Sequence, residues 1–178
     1  MPLSTLQTGV SLIELLIAIL IVGILSSIAA PAFTQWTQNS QIKNAAGSIQ
    51  DGLQLARVES IRRNQIVQFV PGSGSSWTVG CESVNANCPG EIQSRVGSEG
   101  SNNVEVTVSP PVASIAFNGL GRVTPASAVN LIFDVTNPNG GTCIAASGPM
   151  RCLRVEVSPG GQIRMCDPSL SSSDPKGC

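Results

Sequence analysis

Residues 8–33 read TGVSLIELLIAILIVGILSSIAAPAF, an apolar run broken by one acid, Glu14. Val10 to Ala30 is 21 residues with a single charge. As an α-helix that stretch is about 31 Å long, close to the hydrocarbon thickness of a bilayer. A helix apolar on every side has no face to give to water, so it ends in lipid or among other helices. A carboxylate inside a spanning helix costs up to about 3 kcal/mol, less near the helix end, and calls for a partner.

Three readings compete. A secretory signal wants a basic start, a shorter apolar stretch and a small-residue cleavage site, which Ser27-Ile28-Ala29 would supply. Against it stand the length of the run, Glu14, and a leading MPLSTLQTG without Lys or Arg. A plain membrane anchor explains the length and leaves Glu14 as a bare cost. The third reading supplies the partner. A chain cut after Gly9 exposes an α-amino group on Val10, and Glu14 lies four residues on, one helical turn along the same face. In a medium of low dielectric the two attract strongly, within a chain or between neighbours. A pair between chains also sets register, a use that a bare anchor lacks.

The rest of the chain reads as a separate body. After Pro31 and Phe33, the residues Ile42, Ala45, Ala46, Ile49, Leu53, Ala56 and Ser60 recur every three or four positions, marking one buried face of a helix. Gly47 and Gly52 weaken it by about 1 kcal/mol each against Ala. The helix is expected to run from Val10 to about Asn64, with a weak point at Pro31, where the ring removes a backbone donor. From Gln65 the period shifts toward two. Strands are expected at 65–70, 77–80, 104–109, 114–125 (with a Gly-rich turn inside) and 131–135, and a hairpin over 152–166 around Pro159-Gly160-Gly161. Residues 81–103 read as polar loop, and 167–178 as a tail. The expected fold class is α+β, a long helix laid on antiparallel sheet.

Composition narrows the chemistry. The formal net charge is −1, charged residues are 12% of the chain, and there is no His. The commonest general base and the commonest metal ligand are therefore missing. No Cys or acid spacing suggests a metal site, and the Gly-rich turns lack the Lys and following helix of a phosphate loop. No catalytic set, metal or cofactor is expected. Six cysteines, Cys81, Cys88, Cys143, Cys152, Cys166 and Cys178, follow the apolar run, and an even count in an exported chain reads as disulfides. Sequence alone allows 15 pairings. Local pairing is expected, 81 with 88, 143 with 152 and 166 with 178, because Gly, Pro, Asn or Ser turn residues lie between each pair.

The stretch from Thr8 to Phe33 resembles the processing site and N-terminal helix of type IV pilins and type II secretion pseudopilins. The resemblance implies that a prepilin peptidase cuts between Gly9 and Val10 and methylates the new N-terminus. It also implies that Glu14 seats the subunit in a growing filament, and that Pro31 kinks the helix. Two features depart from the family pattern: Val10 stands where Phe is usual, and the leader has no basic residue. A second resemblance covers the body. LQLARVESIRRNQIVQF, IAFNGLGRVTP and SPGGQIRMCDP are similar to motifs of the GspH/FimT family of minor pilins and minor pseudopilins, which includes subunits of the FimU type.

These likenesses imply a pilin-like, disulfide-stapled subunit divided as 1–9 leader, 10–33 membrane or filament-core helix, 34–64 amphipathic helix and 65–178 periplasmic β-rich body. The implied partners are other minor pilins, the major pilin, the prepilin peptidase and the inner-membrane assembly platform. The implied location is the inner membrane in a single pass, then the extracellular pilus. Priming of assembly and a place at the pilus tip follow as the leading expectation. A pseudopilin of type II secretion and a DNA-binding pilin for natural transformation are the alternatives. DNA capture would fall to Arg164, Arg154 and Arg151 around the closing hairpin, where Gln162 replaces one arginine of the resembled motif; each phosphate contact adds affinity. Arg57 and Glu59 read either as subunit contacts or as local structure, with Arg57 bonding sheet carbonyls. Gly119 and Gly121 read as turn residues needing positive φ.

Overall fold

A computed structural model describes residues 11–178. One helix, α1 (Leu12–Arg63), precedes nine strands: β1 (Val67–Pro71), β2 (Trp77–Cys81), β3 (Gln93–Arg95), β4 (Glu105–Ser109), β5 (Ile115–Phe117), β6 (Val123–Thr124), β7 (Leu131–Thr136), β8 (Leu153–Val157) and β9 (Ile163–Cys166). The chain divides into two compact units, residues 1–36 and 37–178. In the first unit the described residues from Leu12 onward are helical. No single helix among the described residues is long and apolar enough to cross a membrane. A bent pair of stretches, Leu12–Ser27 and Ala32–Arg63, meets that requirement by length and composition, and Pro31 lies in the break between them.

In the second unit, the helical face expected from spacing is the buried one: Ile42, Ala45, Ala46, Leu53, Ala56 and Ser60 are fully buried and Ile49 nearly so. Small residues on this face let sheet side chains come close. A Cβ on Gly52 would stand 2.8 Å from Phe69 Cε2 and 2.9 Å from Trp77 Cε2, so the propensity lost at Gly52 secures close helix–sheet packing. Gly47 faces open space and has no such reason. One turn before Gly52, Ser48 Oγ accepts a 2.8 Å hydrogen bond from the buried Trp77 indole. The helix ends on Asn64 in the left-handed region (φ 52°). Gln65 N–H reaches Ser60 C=O and Asn64 N–H reaches Ile61 C=O, the paired bonds of a Schellman cap.

The strands form two antiparallel sheets, β3-β2-β1-β5-β6 and β4-β7-β8-β9. Period-two alternation buries Val67 and Phe69, Trp77 and Val79, Ile115 and Phe117, Phe133 and Val135, and Val155 and Val157. Phe69 meets Trp77 within its own sheet and meets Phe133 of the other sheet edge-on, both at 5.8 Å, so the two sheets share one core.

Each expected strand segment overlaps a strand. The region expected as polar loop, 81–103, departs from expectation: Gln93–Arg95 pairs with Trp77–Val79 as a three-residue edge strand. Its residues carry no strand signal of their own, and β2 supplies the template. The three disulfides join Cys81 to Cys88, Cys143 to Cys152 and Cys166 to Cys178, with sequence separations of 7, 9 and 12. Loops this short each remove roughly 2–3 kcal/mol of unfolded-chain entropy. The last bridge ties the tail beside β9, where Asp167 N–H also bonds Lys176 C=O.

Candidate functional site

The predicted functional positions fall in three places. The first is the start of α1. Gly9 and Val10, the expected cleavage and methylation site, lie outside the described residues. Glu14 sits in the first turn of α1 and is exposed. Around it the large apolar side chains from Leu12 to Leu25, none less than half exposed, lie on every side of the helix. The chain has no Lys or Arg before Lys43, so this stretch offers Glu14 no side-chain cation.

The second place is the C-terminal end of α1. Arg57 Nε–H donates to the Gly121 carbonyl at 3.2 Å, at the turn between β5 and β6. Gly121 has φ 71°, and a Cβ there would lie 2.7 Å from Ile61 Cδ1 and 3.1 Å from Arg57 Nε. Gly161, in the β8–β9 turn, has φ 83°, and a Cβ there would run into the Gly121 carbonyl oxygen. Val123 N–H donates to Pro159 C=O at 3.3 Å. Helix end, β5–β6 turn and β8–β9 turn thus meet where only glycine fits, and the edge of one sheet is stitched to the hairpin of the other. Gly119 corrects the expectation: it does not have positive φ. A side chain there would collide with Asn64 Oδ1, so what Gly119 provides is room for the helix cap.

Glu59 is buried beside this junction. Arg62 and Arg63 each donate to its Oε2 at 2.7 Å, and Arg63 also bonds the carbonyl of Asn87 in the Cys81–Cys88 loop. Burial pushes the Glu59 carboxyl up, but the two arginine hydrogen bonds and charges outweigh it and hold the pKa below the ordinary value. Arg57 and Glu59 therefore both have local structural partners.

The third place is the outer face of the four-stranded sheet. Arg164 lies directly opposite Glu156 and donates to it at 3.0 Å; Arg154 lies opposite Asp134 and donates at 2.8 Å. Arg151 donates to the buried Asp167 at 2.6 Å. Burial raises the pKa of Asp167, but hydrogen bonds from Ser169 and Arg151 win and leave it below the ordinary value. The three arginines proposed for DNA are thus matched by three carboxylates. Asp134 and Arg154 also line a cavity of about 300 Å³ beside the Cys143–Cys152 bridge.

Residues 45–161 match the family model described as type II transport protein GspH. Residues 5–30 match the prokaryotic N-terminal methylation motif. Over 43 residues the chain is 49% identical to the type IV major pilin protein PilE1 of Neisseria gonorrhoeae, a stretch covering 24% of this chain and 26% of that protein. The chain thus spans about a quarter of the length of that pilin. Among solved structures, the type IV minor pilin FimU of Pseudomonas aeruginosa superposes with a TM-score of 0.58 at 17% identity, over 80% of this chain and 98% of the solved FimU chain. The minor pseudopilin EpsH of the Vibrio cholerae type 2 secretion system superposes with a TM-score of 0.53 at 14% identity, over 73% of this chain and 99% of the solved EpsH chain. At these identities the likeness is one of fold.

Proposed function

The chain belongs to the GspH family of type II transport proteins, and from that premise we propose that it is a minor pilin, a structural and assembly subunit of a type IV pilus. One observation carries the reading: a GspH body is joined in one chain to an N-terminal methylation motif whose helix is apolar all round with one acid near its start. Before assembly such a subunit is held in the membrane by that helix. In this reading it crosses the inner membrane once, with the disulfide-stapled body in the oxidising periplasm. A prepilin peptidase cuts after Gly9 and methylates Val10. The freed amine meets Glu14 of its own or a neighbouring chain, in a setting where lipid and packed helices screen the attraction little. The assembly platform then extracts the subunit, Pro31 lets the helix bend, and contacts with other minor pilins and the major pilin replace contacts with lipid. In this role the protein primes assembly and stays at the tip.

Mass spectrometry of the mature chain from cells that make the peptidase is expected to show Val10 as the first residue. Retention of the nine preceding residues would overturn the reading.

A second reading, a minor pseudopilin of type II secretion, is favoured by the fold likeness to EpsH and by the family's own description. Deletion separates the two: loss of pili marks the first, and loss of protein secretion with pili intact marks the second.

A further inference from the structure

We propose that Phe33 and Trp36 form a lipid-facing anchor that sets the depth of the subunit at the periplasmic acyl–headgroup boundary before assembly. The proposal rests on the membrane reading above and adds a binding surface to it. The chain has four Phe, two Trp and no Tyr. Phe69, Trp77, Phe117 and Phe133 are all in the core of the second unit. The remaining two, Phe33 and Trp36, are each 66% exposed. They stand three residues apart on one helix face, with ring centroids 5.9 Å apart.

Their position selects the occupant. Phe33 lies 21 residues past Leu12, about 31 Å along the helical path, and Trp36 lies 24 past it, about 36 Å. A hydrocarbon core about 30 Å thick that begins between Val10 and Leu12 therefore ends between Ala30 and Phe33, and Trp36 falls in the headgroup layer. Trp suits that layer because its ring is apolar while its indole N–H donates to an ester or phosphate oxygen. Polar Thr34, Gln35, Thr37 and Gln38 flank the pair. The other common anchor is missing at this level: the first cation after the apolar run is Lys43, 31 residues past Leu12 and about 46 Å along, too far out to mark the boundary. The aromatic pair is what distinguishes the edge of the run from its interior.

The full chain, reconstituted in vesicles of phosphatidylethanolamine and phosphatidylglycerol, provides the test. Trp77→Phe leaves Trp36 as the sole emitter; if that variant does not fold, the same signal is the difference between the native chain and Trp36→Leu. The Trp36 emission is expected to shift to the blue. Lipids brominated near the glycerol end should quench it at least about twofold more than lipids brominated near the chain methyl. Vesicle-bound chain whose Trp36 is open to aqueous acrylamide, or is quenched most by the deep bromines, overturns the anchor alone. So does shielding that develops only at high protein-to-lipid ratio, since a neighbouring chain would then be the cover. Chain that does not float with the vesicles overturns the membrane reading, and the anchor with it.

Discussion

The two halves of α1 are built from the same backbone hydrogen bonds and have opposite needs. Before residue 26, eleven Leu, Ile and Val side chains are each 50–79% exposed; after residue 40, the seven residues of the inner face are at most 2% exposed. Size follows the difference. The second half mixes Ile and Leu with Ala, Ser and Gly on its inner face, the small residues standing where sheet side chains come closest, as Phe69 and Trp77 do at Gly52. The first half uses large apolar residues on all sides, which suits lipid or a bundle of like helices. The acids repeat the contrast. Glu59 is buried and finds two arginines on its own helix, whereas Glu14 has no basic side chain within the 28 positions that follow it. One half completes itself within the chain, and the other waits for an environment.

The strongest attempt to break this contrast is Glu14→Ala. It is expected to leave the body folded and the chain membrane-bound, and to reduce incorporation into filaments at least about tenfold, the loss of a register-setting ion pair. Immunoblots of sheared filaments against total membranes measure it; normal incorporation would remove the pairing role. In the body that the second half of α1 completes, the largest effect falls at the glycine junction. Gly161→Ala combines a strained φ with a collision and is expected to cost about 2–4 kcal/mol in thermal unfolding of the body.

Gly52→Ala and Gly47→Ala sharpen the comparison within one helix. The same replacement should destabilise by about 1–3 kcal/mol at Gly52, through overpacking on Phe69 and Trp77, and stabilise by up to about 1 kcal/mol at Gly47. Equal effects at both sites would contradict the packing argument.

Acid tests the paired carboxylates. Glu59 and Asp167 have folded pKa values depressed below their unfolded ones. The stability they supply is therefore present above the unfolded pKa of about 4 and is lost as pH falls through their folded values. The melting temperature should drop below about pH 4, and Glu59→Gln should flatten that slope while lowering stability at neutral pH. A slope unchanged in the variant would place the acid sensitivity elsewhere.

The smallest effect belongs to Arg164→Ala. A half-exposed cross-strand pair is worth less than about 1 kcal/mol. With each hairpin arginine matched by a carboxylate, no salt-sensitive DNA retardation is expected from the body or from this variant. Retardation that the substitution weakens would restore the DNA reading.

How much was legible in the sequence follows from the range of each interaction. The helix and its inner face, the apolar run with its lone acid, the strand segments, the closing hairpin and the local disulfide pairing all depend on residues close together in the chain. Periodicity and turn chemistry expose these directly. What tertiary structure decided lies between distant residues. The strand at Gln93–Arg95 exists because β2 offers an edge. Gly119 is needed because Asn64 arrives beside it, and Gly161 because the Gly121 carbonyl does. Asp134 became the partner of Arg154 only through strand register. Local pattern cannot contain these contacts, because each requires the chain to be folded before the two groups meet.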